Sequence, residues 1–275
     1  TGTVSNNSAF IAVPAADLQA LSEGTQSYAV NVSDEAGNAA VESTGSFPVD
    51  TTAPTVTISL SDTSLIAGET ATVTFTFSEV PLSFEIGDIV AENGDISDLL
   101  GSDNVYTATY TPNSNTTDAA NDLYVVNMSY TDAAGNVGSN ADAPNFAIDT
   151  NVPNDSSVAI TSASGAANGY LNAGDIVSVT VAMDEATIVT GSPFITLTIG
   201  GTTKQASYAS GTGTTSLVFT YTIEAGLTDA DGISIGQDAI ALNSGTLRDA
   251  AGNDATLAHS SVAANSSYGV DTTAP

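Results

Sequence analysis

Three copies of Asp-x-Ala-Gly-Asn, each followed at short range by Asp-Thr-x-x-Pro, divide this chain into an array. The first signature is Asp34-Glu35-Ala36-Gly37-Asn38, Asp132-Ala133-Ala134-Gly135-Asn136 and Asp249-Ala250-Ala251-Gly252-Asn253. The second is Asp50-Thr51-Thr52-Ala53-Pro54, Asp149-Thr150-Asn151-Val152-Pro153 and Asp271-Thr272-Thr273-Ala274-Pro275. Successive copies of the first signature lie 98 and 117 residues apart, the length of one compact domain with its own core. Such a repeat constrains the fold strongly, because every unit has to close in the same way. The expected division is a C-terminal half domain over residues 1–52, a whole domain over 53–149, and a longer domain over 150–275 that ends in the next linker. Residues 1–52 hold a repeat's ending without its beginning. Either a cut through a domain or an insertion upstream would produce that.

Most apolar stretches have period two. Ala71, Val73, Phe75 and Phe77 alternate with threonines, and Tyr106, Ala108 and Tyr110 repeat the pattern. So do Tyr124, Val126, Met128 and Tyr130, then Val177, Val179, Val181 and Met183, then Ile195, Leu197 and Ile199, then Leu217, Phe219, Tyr221 and Ile223. Threonine and valine suit a half-buried pleated surface, and clusters of Gly, Asn, Asp and Ser separate the runs. Only Ala15–Leu21 reads as a short helix. The pattern predicts an all-β chain of Ig-like β-sandwich domains in tandem, arranged end to end. Trp and Cys are both absent, so the cores rest on Val, Ile, Leu, Phe and Tyr. In the middle domain strand A falls near Val56–Leu60, B at Thr70–Ser78, E near Val105–Thr111, F near Leu123–Thr131 and G near Asn145–Ile148. Gly68-Glu69 then lies in the A–B turn and Asp118–Asp122 in the E–F turn.

Charge excludes whole classes of partner. Asp and Glu number 31 against two bases, Lys204 and Arg248, for a net charge of −29, and the first 203 residues contain no base. Nucleic acid is excluded, because phosphate binding needs Lys and Arg, and so is an anionic membrane surface. Cations are what such a surface attracts. No apolar run is long enough to span a bilayer, so no membrane insertion by this segment is expected.

In an antiparallel sandwich the B–C and F–G loops share the pole at which a domain begins. The linker Asp50 should therefore lie beside Glu79 and the Asp132–Asn136 loop, with Asp17 to Glu23 approaching from the preceding domain. Asp149 should likewise lie beside Asp184, Glu185 and the Asp249–Asn253 loop, with Glu69, Asp118 and Asp122 approaching. Carboxylates gathered without a base either splay into water or hold a divalent cation. Oxygen-only ligands from several loops suit calcium better than zinc or magnesium. The candidate ligands are Asp50, Asp132, Asp149 and Asp249, then Glu79 and Glu185, with Asp184, Glu69, Asn136 and Asn253 beside them. Asp34, Asp175 and Asp271 would serve junctions whose other side lies outside the sequence. Read singly, Asp-x-Ala-Gly-Asn is also a plain hairpin turn, in which Asp accepts backbone N–H bonds and Gly supplies a positive φ. Asp229-Ala230-Asp231-Gly232 is similar to part of a calcium loop but lacks the Glu that completes an EF-hand.

Asp-Ala-Ala-Gly-Asn followed by Val-Asp-Thr-Thr-Ala-Pro resembles the tandem bacterial Ig-like repeats of giant, calcium-dependent surface adhesins exported by type I secretion, which often carry RTX repeats. Gly200-Gly201-Thr202-Thr203, Leu217-Val218-Phe219-Thr220-Tyr221 and Leu247-Arg248-Asp249 resemble a longer subtype. The resemblance implies an extracellular segment on a bacterial surface, serving as an extender whose linkers calcium stiffens. Its partners would be calcium ions and neighbouring repeats of the same chain. Asp149-Thr150-Asn151-Val152-Pro153 departs from the commoner linker but keeps its Asp and Pro.

Two other functions compete. The chain could itself grip a host glycan or protein, with Tyr170, Tyr208 and Tyr268 as stacking candidates, although strand residues of the core explain them as well. An enzyme is not expected. His259, the only histidine, sits in a polar stretch and reads as an exposed loop residue. Gly211-Thr212-Gly213 lies between strands with no helix to cradle a phosphate.

Overall fold

Alternating Thr and apolar side chains put one face of each strand in a core and leave the other wet. In the computed structural model, which describes residues 4–5, 8–9 and 11–274, nearly all regular structure is β. Pro275, which ends the third linker signature, and parts of the expected half domain before Ile11 lie outside the described residues. The expected helix is present as Ala15–Gln19. The chain forms two compact units, and they cut across the sequence repeats. One comprises Thr1–Asp62, Ala71–Thr111 and Asp122–Asn145, the other Thr63–Thr70, Pro112–Asn121 and Phe146–Pro275.

The first unit contains an antiparallel sheet in the spatial order Val56–Leu60, Ala71–Phe77, Val105–Pro112, Gly94–Ser102. A three-stranded sheet of Ala141–Asp142, Leu123–Val125 and Ile89–Ala91, a hairpin of Gly24–Val30 with Ser43–Val49 and a short pairing of Val4–Ser5 with Ser8–Ala9 accompany it. Strand Ala71–Phe77 alternates as its sequence requires, with Ala71, Val73, Phe75 and Phe77 buried. Phe77 centres an aromatic group, with ring centroids 4.9 Å from Phe84, 5.0 Å from Tyr130 and 5.8 Å from Tyr106, all edge-on. Edge-to-face packing suits the ring quadrupoles and contributes beyond area burial.

The second unit carries a large sheet in the order Asp155–Ser164, Ile176–Thr190, Thr214–Thr222, Thr202–Ser210, Phe194–Ile199, Ser234–Ala241, with Thr246–Arg248 also pairing to Ile176–Thr190. Two three-stranded sheets accompany it: Thr117–Asn121, Phe146–Asp149 and Ser64–Ile66, and Tyr170–Leu171, Gly269–Asp271 and Thr228–Asp229. Its core includes Val177, Val179, Val181, Ile195, Leu197, Leu217 and Phe219, each fully buried.

Two expectations differ from what forms. Leu123–Thr131 is not one long strand. The strand covers Leu123–Val125 only, with Leu123, Val125 and later Tyr130 buried rather than Tyr124, Val126 and Met128. Met128 has φ 62° and is 70% exposed, so the chain turns there and the alternation changes phase. Asp118–Asp122 is not a turn either, because Thr117–Asn121 pairs antiparallel with Phe146–Asp149. Buried Asn121 supports that pairing by donating its amide to the Phe146 carbonyl at 3.1 Å.

Removing the Phe219 ring leaves a void in a core packed to crystal-like density. Phe219→Ala should cost about 3–5 kcal/mol. Urea unfolding checks this, as a fall in midpoint without a change in slope.

Candidate cation site

Each Asp-x-Ala-Gly-Asn copy folds into the same hydrogen-bonded turn. The Asp N–H donates to the Asn carbonyl at 3.0 Å in Asp34–Asn38, 3.1 Å in Asp132–Asn136 and 3.2 Å in Asp249–Asn253. One oxygen of the Asp carboxylate accepts the Asn backbone N–H, at 2.8, 2.8 and 2.9 Å respectively. The other oxygen accepts the Asn side-chain amide, at 2.8, 2.8 and 2.7 Å. Gly is required because its φ is +89°, +95° and +114° at Gly37, Gly135 and Gly252, a region that costs an L side chain strain. The hairpin-turn reading of the motif is thus realised in all three copies. Asp132 and Asp249 are buried, while Asp34 is exposed.

The linker aspartates also close local turns. Asp50 accepts from the Thr52 N–H at 3.1 Å, Asp149 from Asn151 at 3.3 Å and Asp271 from Thr273 at 2.9 Å. Linker and loop then meet through the motif's Asn. Asn136 donates its side-chain amide to the Asp50 carbonyl at 3.1 Å, and Asn253 donates to the Asp149 carbonyl at 2.9 Å.

In the first unit this docking gathers charge. Asp50, Glu79 and Asp132 each present a carboxylate oxygen within 4.8 Å of the others. Asp50 is exposed, Glu79 half-buried and Asp132 buried. Burial pushes the Glu79 carboxyl up, and the charges of Asp132, Asp50 and Glu23 push it further. Burial also raises Asp132, but hydrogen bonds from Asn136, Gly135 and Ala134 outweigh it and hold that group below its ordinary value. No base relieves the cluster. Lys204 pairs with Glu224 and Arg248 with Asp254, all four in the second unit. Three hard oxygen donors at this spacing, uncompensated and partly desolvated, fit a divalent cation of the calcium type. Asp50, Glu79 and Asp132 are the residues that could hold it.

Glu23 belongs to this group although sequence reasoning named it only as approaching, not as a ligand. One of its oxygens accepts from the Thr51 N–H at 2.8 Å, the Thr51 hydroxyl at 2.8 Å and the Thr52 hydroxyl at 3.2 Å. The backbone and then the side-chain bond from Thr51 hold its carboxyl below the ordinary value. The signal for it was its position just before strand Gly24–Val30, whose first residue pairs with Val49 beside the linker.

The second set of candidates is arranged differently. Burial raises the Glu185 carboxyl, with smaller contributions from the charges of Asp249, Asp149 and Asp184. Among the described residues, however, these four do not converge as the first three do. Asp184 is turned to Asn154, accepting its N–H at 2.7 Å and its side-chain amide at 3.1 Å. Asp149 accepts the Thr117 hydroxyl at 2.9 Å.

The remaining candidates close turns of their own. Glu69 accepts the Ile66 N–H at 3.1 Å, and Asp175 accepts the Asn172 N–H at 2.7 Å. Asp229, in the segment similar to a calcium loop, is buried and accepts from Gly200 at 2.7 Å and Gly232 at 2.9 Å, which makes it a turn clasp. His259 corrects an expectation: it is 6% exposed, not a surface residue. Its Nε2 accepts the Ala239 N–H at 2.8 Å, and its Nδ1 lies 2.9 Å from the Ser260 carbonyl, which places the proton on Nδ1. Tyr208 packs on the core edge-on to Phe219 at 5.7 Å, while Tyr170 is exposed.

Residues 50–148 match the family described as a bacterial Ig-like domain. No curated protein matches the chain. Two similar solved structures are FdeC, a broadly conserved Escherichia coli adhesin eliciting protection against urinary tract infections, and the I9–I11 tandem from titin. The first has a TM-score of 0.38 and 17% identity over 78% of this chain and 64% of that one. The second has a TM-score of 0.25 and 12% identity over 86% of this chain and 73% of that one. The chain therefore spans just under two thirds of the adhesin chain's length. The protein is all-β, and its residues 50–148 match a bacterial Ig-like domain.

A carboxyl raised in the fold makes ionisation a destabilising event. Below the ordinary Glu value Glu79 is neutral in both folded and unfolded chains. As pH rises through the folded value, the fold loses stability. In calcium-free buffer Glu79→Gln should therefore raise the melting temperature at pH 7 and leave it unchanged at pH 3.5. Calorimetric melting at the two pH values checks this. An equal shift at both would show that the effect is not charge.

Proposed function

We propose that this chain is an extender segment of a large bacterial surface adhesin, stiffened by calcium and holding a distal ligand-binding region away from the cell. One observation carries the reading: three carboxylates from a linker and two loops converge within 4.8 Å in a unit that contains no base. The Ig-like domain at residues 50–148 supports the architectural half of it. The resemblance of the Asp-Ala-Ala-Gly-Asn and Asp-Thr-Thr-Ala-Pro signatures to tandem adhesin repeats suggests the setting: an extracellular location, export by type I secretion, and neighbouring repeats of the same chain as partners.

Calcium would supply the two positive charges that this cluster lacks, and Asp50, Glu79 and Asp132 would hold it, with Glu23 contributing negative potential. The protein's own groups do the positioning. Asn136 ties the Asp132 loop to the linker carbonyl, and Thr51 and Thr52 fix Glu23, so the oxygens are placed before any ion arrives. Preorganised oxygens cost less to order on binding than mobile ones. Without the ion, repulsion loosens the linker. Millimolar extracellular calcium suits a site of this kind, for which affinities of about 10⁻⁴–10⁻³ M are common.

No catalytic role fits the one imidazole. The His259 Nε2 lone pair is occupied by the Ala239 N–H, so it has no free base to offer a substrate.

Small-angle scattering tests the extender reading. The maximum dimension in calcium should be longer and better defined than in chelator, and the difference should vanish in Asp50→Ala. A maximum dimension unchanged by chelation would reject it.

A further inference from the structure

Asn253 is 2% exposed, and of the three hydrogen bonds its side chain makes only one goes to a charged group. Its Nδ2 donates to the Asp149 carbonyl at 2.9 Å and to the Asp249 carboxylate at 2.7 Å. Its Oδ1 accepts the Ala67 N–H at 2.8 Å. The amide can take only this orientation. Flipping it would set the NH2 group against the Ala67 N–H and its oxygen against two acceptors.

Ala67 follows strand Ser64–Ile66, within residues 50–148 that match an Ig-like domain, and Asn253 lies 186 residues further on. Ala67, Asp149 and Asn253 all belong to the second compact unit, so the bond ties part of the 50–148 stretch to the segment after it within one unit. Asn136, at the same place in the preceding copy, makes the same bonds to its loop Asp and its linker carbonyl. Among the described residues, however, no N–H is bonded to its Oδ1, and Asn136 is only half-buried. The two copies therefore differ at Oδ1, and at Nδ2 in that Asn136 also reaches the Asp50 carboxylate at 3.4 Å. Where Asn253 closes on a backbone N–H, the carboxylates nearby turn to Asn154 and Thr117. Where Asn136 does not, three carboxylates converge.

We infer that Asn253 is a neutral clasp, closing the seam between the 50–148 domain and the following segment by direct hydrogen bonding to the Ala67 N–H, without a metal ion. The chain then carries two kinds of seam: a fixed one at Asn253 and one at Asp132 that responds to cations. Only the second half of that contrast rests on the calcium reading. A buried amide whose donors and acceptor are all matched is specific in register, because shifting the seam leaves the Asn253 amide buried without its Ala67 and Asp149 partners. An acidic seam has no such lock, and its closure follows the ion concentration.

Amide hydrogen exchange on the full chain, read by NMR in calcium and in chelator, tests the clasp. The Ala67 N–H should be protected equally in both. In Asn253→Ala it should exchange at least about tenfold faster, while amides of strand Ile176–Thr190 keep their protection. Ala67 exchanging at the free-chain rate in chelator would overturn the inference, as would protection that survives Asn253→Ala. If Asn253→Ala does not fold, Ala67→Pro removes the N–H, at the cost of a fixed φ at residue 67 and a restricted Ile66, and leaves the Asp249 turn intact. The Asn253 side-chain amide should then exchange faster, and an unchanged rate would overturn the clasp. In the same wild-type spectra, Asp132–Asn136 amides that ignore calcium would count against the calcium reading and leave the clasp standing.

Discussion

A carboxylate that gathers the N–H groups of its own turn sets up everything else in this chain. In Asp132–Asn136 and Asp249–Asn253 the Asp side chain accepts Gly and Asn backbone N–H groups and the Asn amide. A charged acceptor with several N–H partners is among the stronger hydrogen-bonding arrangements a loop can hold. It does two things beyond closing a hairpin. It keeps a negative charge buried where the linker arrives. It also aims the Asn amide outward, so that the linker carbonyl of Asp50 or Asp149 becomes its partner. The repeated linker Asp is thereby delivered to the same place each time.

What happens next depends on the surroundings. With Glu79 and Glu23 alongside, delivery of Asp50 produces a convergence of like charge that no base offsets. With Ala67 alongside, the Asn finds a backbone donor and the neighbouring acids find polar partners of their own. One local turn can therefore serve an electrostatic seam or a hydrogen-bonded one. The difference lies in a single N–H and in which acids face the linker. Both bases of the chain pair with acids in the second unit, so the first unit has only solvent ions to moderate its charge.

Period-two runs made the core strands legible. Ala71–Phe77 and Ile176–Thr190 bury the residues their alternation names, because β-branched and aromatic side chains fit a pleated half-buried face. The convergence of Asp50, Glu79 and Asp132 was legible too, since loops at one pole of a sandwich have to meet. Three features left no such trace. Tyr124 counts as apolar in a pattern but lies outward, and the turn at Met128 resets the phase, so that strand was drawn too long. Thr117–Asn121 has no apolar alternation and is a strand through backbone pairing alone. The Asn253 contact to Ala67 spans 186 residues and engages a main-chain group, which has no letter in the sequence. His259 looked exposed for the same reason: its partner is the N–H of Ala239.

The central claim is that a linker aspartate, a loop aspartate and a glutamate share one divalent ion. Calorimetric titration of calcium into the wild type and into Asp50→Asn tests it most directly, since the substitution keeps shape and removes one charge. The account predicts a saturable site in the wild type, weakened at least about tenfold in the variant as a carboxylate ligand is lost. Indistinguishable isotherms, or no binding by the wild type at millimolar calcium, would contradict it.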